Sequence, residues 1–389
     1  MKTPRLQKKK YLILLTLIFV ASFFSKSFAF ELIQSRFSYK STKTCGRIFG
    51  PTSTNTMQIL KLQLKGITWP KDIIEEGFKI LELNALNFGV PPGKESHRIK
   101  DAFENFFKPK RDLDSFTRLL SKHKPAMIVL IEVFDKKTMT DYDYEFLHDQ
   151  YEEVLIEGND GRGIDIGLWV RKDLPIDLEI HSHKNLIDSQ TGQLVYSRDF
   201  PTYILSEKND QFNTQNKNPF LIVEATHNKS QRGDEKDPTS SGKRTEQFEA
   251  SSDITSEYEK LYPDTPIIMT GDFNIDVKKM ATPELNSLKK IGMVDAFEST
   301  TDSTPLSERD THYFFDHDGN LSKSQLDTML INIVAYTNKI IKSAKVLFHI
   351  QPNGEDFPPP TTFKERELQP SDHRPNLFIL DLEKLISSQ

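Results

Sequence analysis

Short apolar runs recur along this chain, and most follow one another with no helical stretch between them. "FKILELNAL" begins at Phe78, "AMIVLI" at Ala126, "IDIGLWV" at Ile164, "PTYIL" at Pro201 and "FLIVEATH" at Phe220. "PIIMTG" begins at Pro266, "QLDTMLI" at Gln325, "AKVLFHI" at Ala344 and "NLFILDL" at Asn376. Runs of this length, bounded by Gly, Pro and Asn, are strands rather than helices. Helical pattern is confined to "KRTEQFEASSDITSEYEKLY", "PELNSLKKIG" and a stretch over 97–122 broken near Pro109. Strands joined directly to strands need antiparallel pairing, so the chain is α+β rather than a simple βαβ winding.

The 389 residues suffice for one large domain or two modest ones, and a 28% share of charged residues fits a globular chain. The start differs. "KTPRLQKKK" is basic, "YLILLTLIFVASFF" is apolar, and "SKSFA" ends in small residues, the order of a secretory signal. The apolar run is short against the roughly 20 residues that a membrane span needs. We therefore expect a signal peptide over 1–29, an irregular leader over 30–77 and one domain over 78–389. No stable membrane anchor is expected after cleavage. Cys45 is the only cysteine, so no intrachain disulfide forms. An exported chain without disulfides suggests a bacterial protein, periplasmic or secreted. Removing residues 1–29 takes away six basic residues and no acid, leaving 45 Lys+Arg against 56 Asp+Glu, a net charge of −11. That charge opposes strong non-specific nucleic-acid binding but leaves room for a local basic groove.

Several runs end in a polar residue able to meet a metal or a phosphate. In "IIMTGDFNID", Asp272 and Asn274 stand two apart, a spacing that shares one face in extended chain. A turn in which Asp bonds its own backbone explains the same letters. Asn84 follows "KILEL", Glu132 follows "AMIVLI", His227 ends "FLIVEATH", Asp327 sits in "QLDTMLI", and Asp372 and His373 precede the last run. Carboxylates and amides without cysteine are hard oxygen donors suited to Mg²⁺ or Mn²⁺. The histidines supply proton handling and contacts to developing charge. With no P-loop and no nucleophile elbow, this composition points to metal-assisted attack of water on a phosphate ester.

Taken in order, these motifs resemble those of the endonuclease/exonuclease/phosphatase superfamily, over about residues 78–382. "LNALNFG" resembles the first-strand Asn motif and "IVLIEV" the Gln-Glu motif, with Ile131 where Gln is usual. "GNDGRGIDIGLWVRKD" resembles the segment packed beside the site. "THNKSQRG", "GDFN", "LDTML" and "SDHRP" match the remaining motifs. The resemblance implies a DNase I-like four-layer sandwich, two mainly antiparallel sheets packed together and flanked by helices. It implies metal ligation by Glu132, helped by Asn84 and Asp372. It implies Asp272 as the residue that orients and deprotonates water, and His227 and Asn274 as donors to the phosphate. His373, paired with Asp327, would stabilise charge or transfer a proton.

Weaker signals surround these. Lys229 and Arg232 lie close enough in sequence to His227 to touch a substrate phosphate, although Asp234, Glu235 and Asp237 sit among the nearby cations. "DHDGN" at 316–320 has Leu321 where a calcium loop needs Gly, so a hairpin turn is expected. His181 and His183 are expected as exposed strand residues. The expected activity is an Mg²⁺- or Mn²⁺-dependent phosphodiesterase, a monomeric nuclease acting on DNA or RNA. The alternative is a phosphatase or a phospholipase-type hydrolase of inositol phosphates or sphingomyelin at the same site. "THNK" in place of a Tyr-x-Pro-Asn strand end argues against an abasic-site repair enzyme.

Overall fold

The computed structural model describes residues 33–34, 57–89, 106–208 and 218–387. The signal segment 1–29, Cys45, the start of the 97–122 helical stretch and most of the 206–219 loop lie outside the described residues. In chain order the strands are β1 Ile33–Gln34, β2 Gln58–Gln63, β3 Phe78–Phe88, β4 Met127–Val133, β5 Tyr151–Leu155, β6 Asp165–Arg171, β7 Ile176–Ser182 and β8 Thr202–Glu207. They continue as β9 Leu221–His227, β10 Ile267–Asp272, β11 Val294–Asp295, β12 His312–Phe315, β13 Leu321–Ser324, β14 Asp327–Ile331, β15 Ile341–Val346 and β16 Asn376–Leu380. An eight-stranded sheet runs β1-β2-β7-β8-β9-β10-β14-β11, and a six-stranded sheet runs β15-β16-β3-β4-β6-β5. Each is antiparallel except for one parallel pair, β9 with β10 and β3 with β4.

Period-two alternation sorts the side chains into layers. In β4, Met127, Val129 and Ile131 join the core between the sheets, with Ile268, Met329, Val223 and Leu178 opposite. Ile128 and Leu130 face the other way, onto Leu113, Phe116, Leu119 and Leu120 of the helix Lys110–His123. Beyond the larger sheet, Ile222, Ile267, Met269 and Leu330 pack on Phe248, Ile254 and Tyr258 of the helix Ser241–Leu261. Helix, sheet, sheet, helix is the α+β sandwich that the motifs imply. Pro109 is the N-cap of the helix Lys110–His123, where its missing N–H costs no helical bond.

The expected domain start at residue 78 is too late. β1, β2 and the helix Lys71–Glu76 all lie within the expected leader, and β2 pairs along its length with β7. "QILKLQL" carries Leu60, Leu62 and Leu64 to the core at period two, and the Lys61 and Gln63 that alternate with them interrupt the apolar run. His181 and His183 also differ from expectation. His181 is buried, its ring bonded by Tyr258 Oη and Glu179 Oε1, each at 2.6 Å, and His183 Nε2 meets Thr202 Oγ1 at 3.3 Å. "DHDGN" turns the β12–β13 hairpin, with Asp316 Oδ1 accepting the Asp318 and Asn320 N–H groups at 2.9 and 2.8 Å.

Candidate active site

The alternation that builds the core also aims the polar strand ends. His227 continues the inward row of Leu221, Val223 and Ala225, Asp272 that of Ile268, and Asp327 that of Met329 and Ile331. The register places Asp272 opposite His227 on one side and opposite Asp327 on the other. Three neighbouring strands therefore present His227, Asp272 and Asp327 in one row at one edge of the sandwich. From the facing sheet, Asn84 follows Ile80 and Glu82 on the inward side of β3.

Glu132 reaches the site by a different device. Strict alternation would send it outward with Ile128 and Leu130. Instead, the β4–β6 register slips between Ile131 and Val133, and Glu132 takes a left-handed φ of 64°. Val133 then occupies the helix-facing side, and Glu132 turns toward the opposite sheet. Such bulges re-aim side chains next to active sites. Glu132 Oε2 accepts the Asn87 N–H at 3.1 Å, and Oε1 stands 3.8 Å from His227 Nε2.

Asp272 is the hub. Its Oδ2 accepts amide N–H bonds from Asn84 and Asn274, each at 3.2 Å, and lies 3.7 Å from His227 Nε2 and 4.0 Å from His373 Nε2. Its Oδ1 accepts the Asn274 backbone N–H at 2.8 Å. Asn274 has a φ of 53°, so the two side chains converge through a turn and not through extended alternation. The turn and the site are thus the same structure. Gly271 makes the approach possible. Its φ is 137°, and a Cβ there would lie 2.0 Å from the Thr226 carbonyl oxygen. One expected role does not fit. Both N–H groups of the Asn274 amide are engaged, by Asp272 Oδ2 and by the Asn228 carbonyl at 3.0 Å. Asn274 orients Asp272 and holds no spare donor for a phosphate.

Asp327 is fully buried, and its Oδ2 accepts from His373 Nδ1 at 2.7 Å. Burial opposes charge on that imidazole, but Asp327, Asp272 and Asp372 outweigh it and raise its pKa well above the usual histidine range. His227 is the opposite case. Burial, then Arg198, His373 and Arg162, hold it well below that range, so it is neutral. Burial pushes Asp272 up to about 7, with Asp327 and Glu132 adding to the rise and His373 opposing it. One histidine charged, one neutral and a carboxylate near neutrality form an arrangement suited to moving protons at pH 7.

Among the described residues, Asp272, Asp327 and His373 form one group whose potential metal-binding atoms all lie within 4.8 Å of one another. His373 is held protonated there, which disfavours ligation and marks the group as an ion pair beside a carboxylate. A cation fits better at Glu132. Burial raises the Glu132 pKa and the neighbouring Asp372 carboxylate raises it further, a repulsion that a divalent ion would relieve. Asn84 is partly committed, since its Oδ1 accepts the Leu86 N–H at 3.1 Å, and Asp372 Oδ2 accepts from Arg366 at 3.0 Å. Carboxylate and amide oxygens of this kind suit Mg²⁺ or Mn²⁺.

Lys229 and Arg232 are tied into their own loop. Lys229 Nζ donates to the Arg232 carbonyl at 2.6 Å, and Arg232 is exposed. A cation beside His227 that the sequence did not single out is Arg198, which helps to hold the His227 pKa down. It is buried, pairs with Asp160 at 3.1 Å and donates to the Asn228 carbonyl at 3.3 Å. Asp160 and Arg162 belong to the "GNDGRG" segment expected beside the site. A lone Arg just before the strand that neighbours β9 was the available signal. Glu82 was also missed. It is buried beneath Asn84 on β3, accepts the Asn376 amide at 3.0 Å, and is held well above the carboxylate range by burial and then by Asp327.

No protein-family model and no curated protein matches this sequence. Solved structures do match its shape. An endonuclease/exonuclease/phosphatase from Bacteroides vulgatus is 13% identical, with 78% of this chain and 98% of that chain covered and a TM-score of 0.48. A mannosyl-6-phosphatase from Bacteroides thetaiotaomicron is 14% identical, with 78% and 99% covered and a TM-score of 0.44. A truncated Caenorhabditis elegans TDP2 is 14% identical, with 79% and 100% covered and a TM-score of 0.47.

Proposed function

We propose that this chain is an exported, divalent-metal-dependent phosphodiesterase that hydrolyses nucleic acid. The observation that carries the proposal is the row His227–Asp272–Asp327, completed by the His373 imidazolium and faced by Glu132 and Asn84. In this reading Asp272 accepts the proton of the attacking water, its carboxylate aimed by two amides. His373 places a positive charge, fixed by Asp327, toward the phosphate oxygens. His227 is a neutral donor, and its Nδ1 is buried without a hydrogen-bond partner among the described residues. Glu132, with Asn84 and Asp372 nearby, would hold Mg²⁺ or Mn²⁺. Such an ion, when bound, supplies Lewis-acid polarisation of a phosphate oxygen.

A polyanionic substrate is favoured by the cations on the His227 side. Burial, then Arg198, Arg162 and Arg244, lower the Lys229 pKa, although Asp160 pairs with Arg198 and Arg162 and Glu284 pairs with Arg244, so this flank carries four cations against two acids. The test is purified protein with Mg²⁺, assayed in parallel on plasmid DNA, RNA, inositol phosphates and sphingomyelin. Cleavage of plasmid or RNA supports the proposal. Turnover confined to inositol phosphates or sphingomyelin replaces the substrate class while keeping the chemistry, and no turnover of any of the four overturns both. Export rests on the basic, apolar, small-residue order of residues 1–29. Mass spectrometry of the native protein tests it: a mature start at Phe30 is expected, and an intact cytosolic chain contradicts it.

A further inference from the structure

Both members of the Asp327–His373 pair are buried, and both stand at the ends of elements. Asp327 is the first residue of β14, and His373 lies on the loop before β16. Element ends fray unless something outside the element ties them. Here one buried residue ties both. Thr311 Oγ1 accepts the backbone N–H groups of Leu326 at 2.9 Å and Asp327 at 3.1 Å. The Thr311 carbonyl accepts the Arg374 N–H at 2.7 Å, so the same residue also grips the chain beside His373. Its neighbour completes the brace. The His312 ring lies against the His373 ring, with centroids 4.7 Å apart at 45°, and the two residues form a backbone bridge. The Arg374 side chain fixes the approach to this segment, donating to the Asp310 and Glu308 carbonyls at 3.0 and 3.3 Å.

We propose that Thr311 and His312 are positioning residues that set the geometry of the Asp327–His373 pair, an inference that rests on the hydrolytic reading of that pair. The hydroxyl has a specific task. It receives two N–H groups at the start of β14, and so fixes the backbone from which the Asp327 carboxylate projects. The His312 ring closes one face of the imidazole and limits its rotation. An error of about 1 Å at a catalytic group costs on the order of a hundredfold in rate, so such a brace acts on turnover rather than on substrate binding.

The test pairs Thr311→Val, which keeps the shape and removes the acceptor, with Thr311→Ser, which keeps the hydroxyl. The first readout needs no substrate. It is the far-downfield proton resonance of the His373 Nδ1–H bonded to Asp327, assigned by its loss in His373→Gln. The second is kcat and KM on the phosphoester that the wild type cleaves, alongside melting temperature. Thr311→Val is expected to lose the resonance and about tenfold or more in kcat with KM little changed, while Thr311→Ser keeps both. A folded Thr311→Val with resonance and kcat intact overturns the proposal, as does a Thr311→Ser equally damaged. A wild type without the resonance also overturns it. If Thr311→Val does not fold, His312→Ala and His312→Phe decide. Loss of kcat in the first with recovery in the second is expected, and a wild-type His312→Ala contradicts the brace. A wild type that shows the resonance but cleaves no phosphoester sinks the functional reading and leaves the positioning to be judged by the resonance alone.

Discussion

His373 Nδ1 lies 2.7 Å from Asp327 Oδ2, and that bond decides which ring nitrogen faces Asp272. Nε2 is left 4.0 Å from Asp272 Oδ2, at the mouth formed by three strand ends. Asp327→Asn should therefore break more than a charge pair. An amide can donate to the imidazole as well as accept from it, so the ring loses both its fixed orientation and its imidazolium. We expect kcat to fall by about 10²–10⁴ with KM changed far less. Steady-state kinetics on the purified variant check this, and a loss confined to KM would reassign the pair to binding.

Asn84 and Asn274 donate to the same oxygen of Asp272, each at 3.2 Å. Removing either lets the carboxylate turn, and once it has turned the second amide has little left to hold. Each single alanine variant should lose roughly tenfold or more in kcat, and the double should lose clearly less than the product of the two. Multiplicative losses in kcat would show that the amides act on separate targets.

Gly271 is the position of tightest backbone approach in the site. With a φ of 137° and only 2.0 Å between a new Cβ and the Thr226 carbonyl oxygen, Gly271→Ala must push β10 away from β9. A stability loss of about 3 kcal/mol or more is expected, read by urea unfolding. A variant as stable as the wild type would mean that the two strands can part at no cost.

Glu224 contributes to the pH dependence of the fold. It is buried under the helix Ser241–Leu261, with Thr255 Oγ1 donating to its Oε2 at 2.7 Å, and burial pushes its pKa up to about 8. The folded state then holds a proton that the unfolded chain releases near the ordinary glutamate value. Its contribution to stability is complete below about pH 4.5 and declines as pH rises to about 8, at up to about 1.4 kcal/mol per unit. Glu224→Gln should flatten the stability profile across that window. Unfolding midpoints measured at intervals from pH 4.5 to 8 check it, and parallel profiles for the two proteins would contradict the buried neutral acid.

Much of the site was legible because strands are periodic. "FLIVEATH", "IIMTGD" and "DTMLI" each carry their polar end on the same face as the alternate core residues of the strand, and the sheet register does the rest. What escaped depends on contacts between distant segments. The bulge that turns Glu132 inward has no local mark in "IVLIEV", since alternation alone sends that residue outward. Asn274 looked like a free donor because its two acceptors, Asp272 Oδ2 and the Asn228 carbonyl, meet it only once the turn forms and β9 is in place. Arg198 resembled an ordinary loop cation because Asp160 and Asn228, which hold it at the site, are far from it in sequence. β2 was hidden by the polar residues that alternate with its leucines.

The central claim is that Glu132 serves a divalent ion in phosphodiester hydrolysis. It is tested most directly by the rate of plasmid cleavage, measured with Mg²⁺ and with chelator, for wild type and Glu132→Gln. The wild type should cleave only with Mg²⁺. Glu132→Gln should be nearly inactive in both conditions, with an unchanged circular dichroism spectrum. Cleavage at the wild-type rate by Glu132→Gln, or by either protein in chelator, would contradict the account.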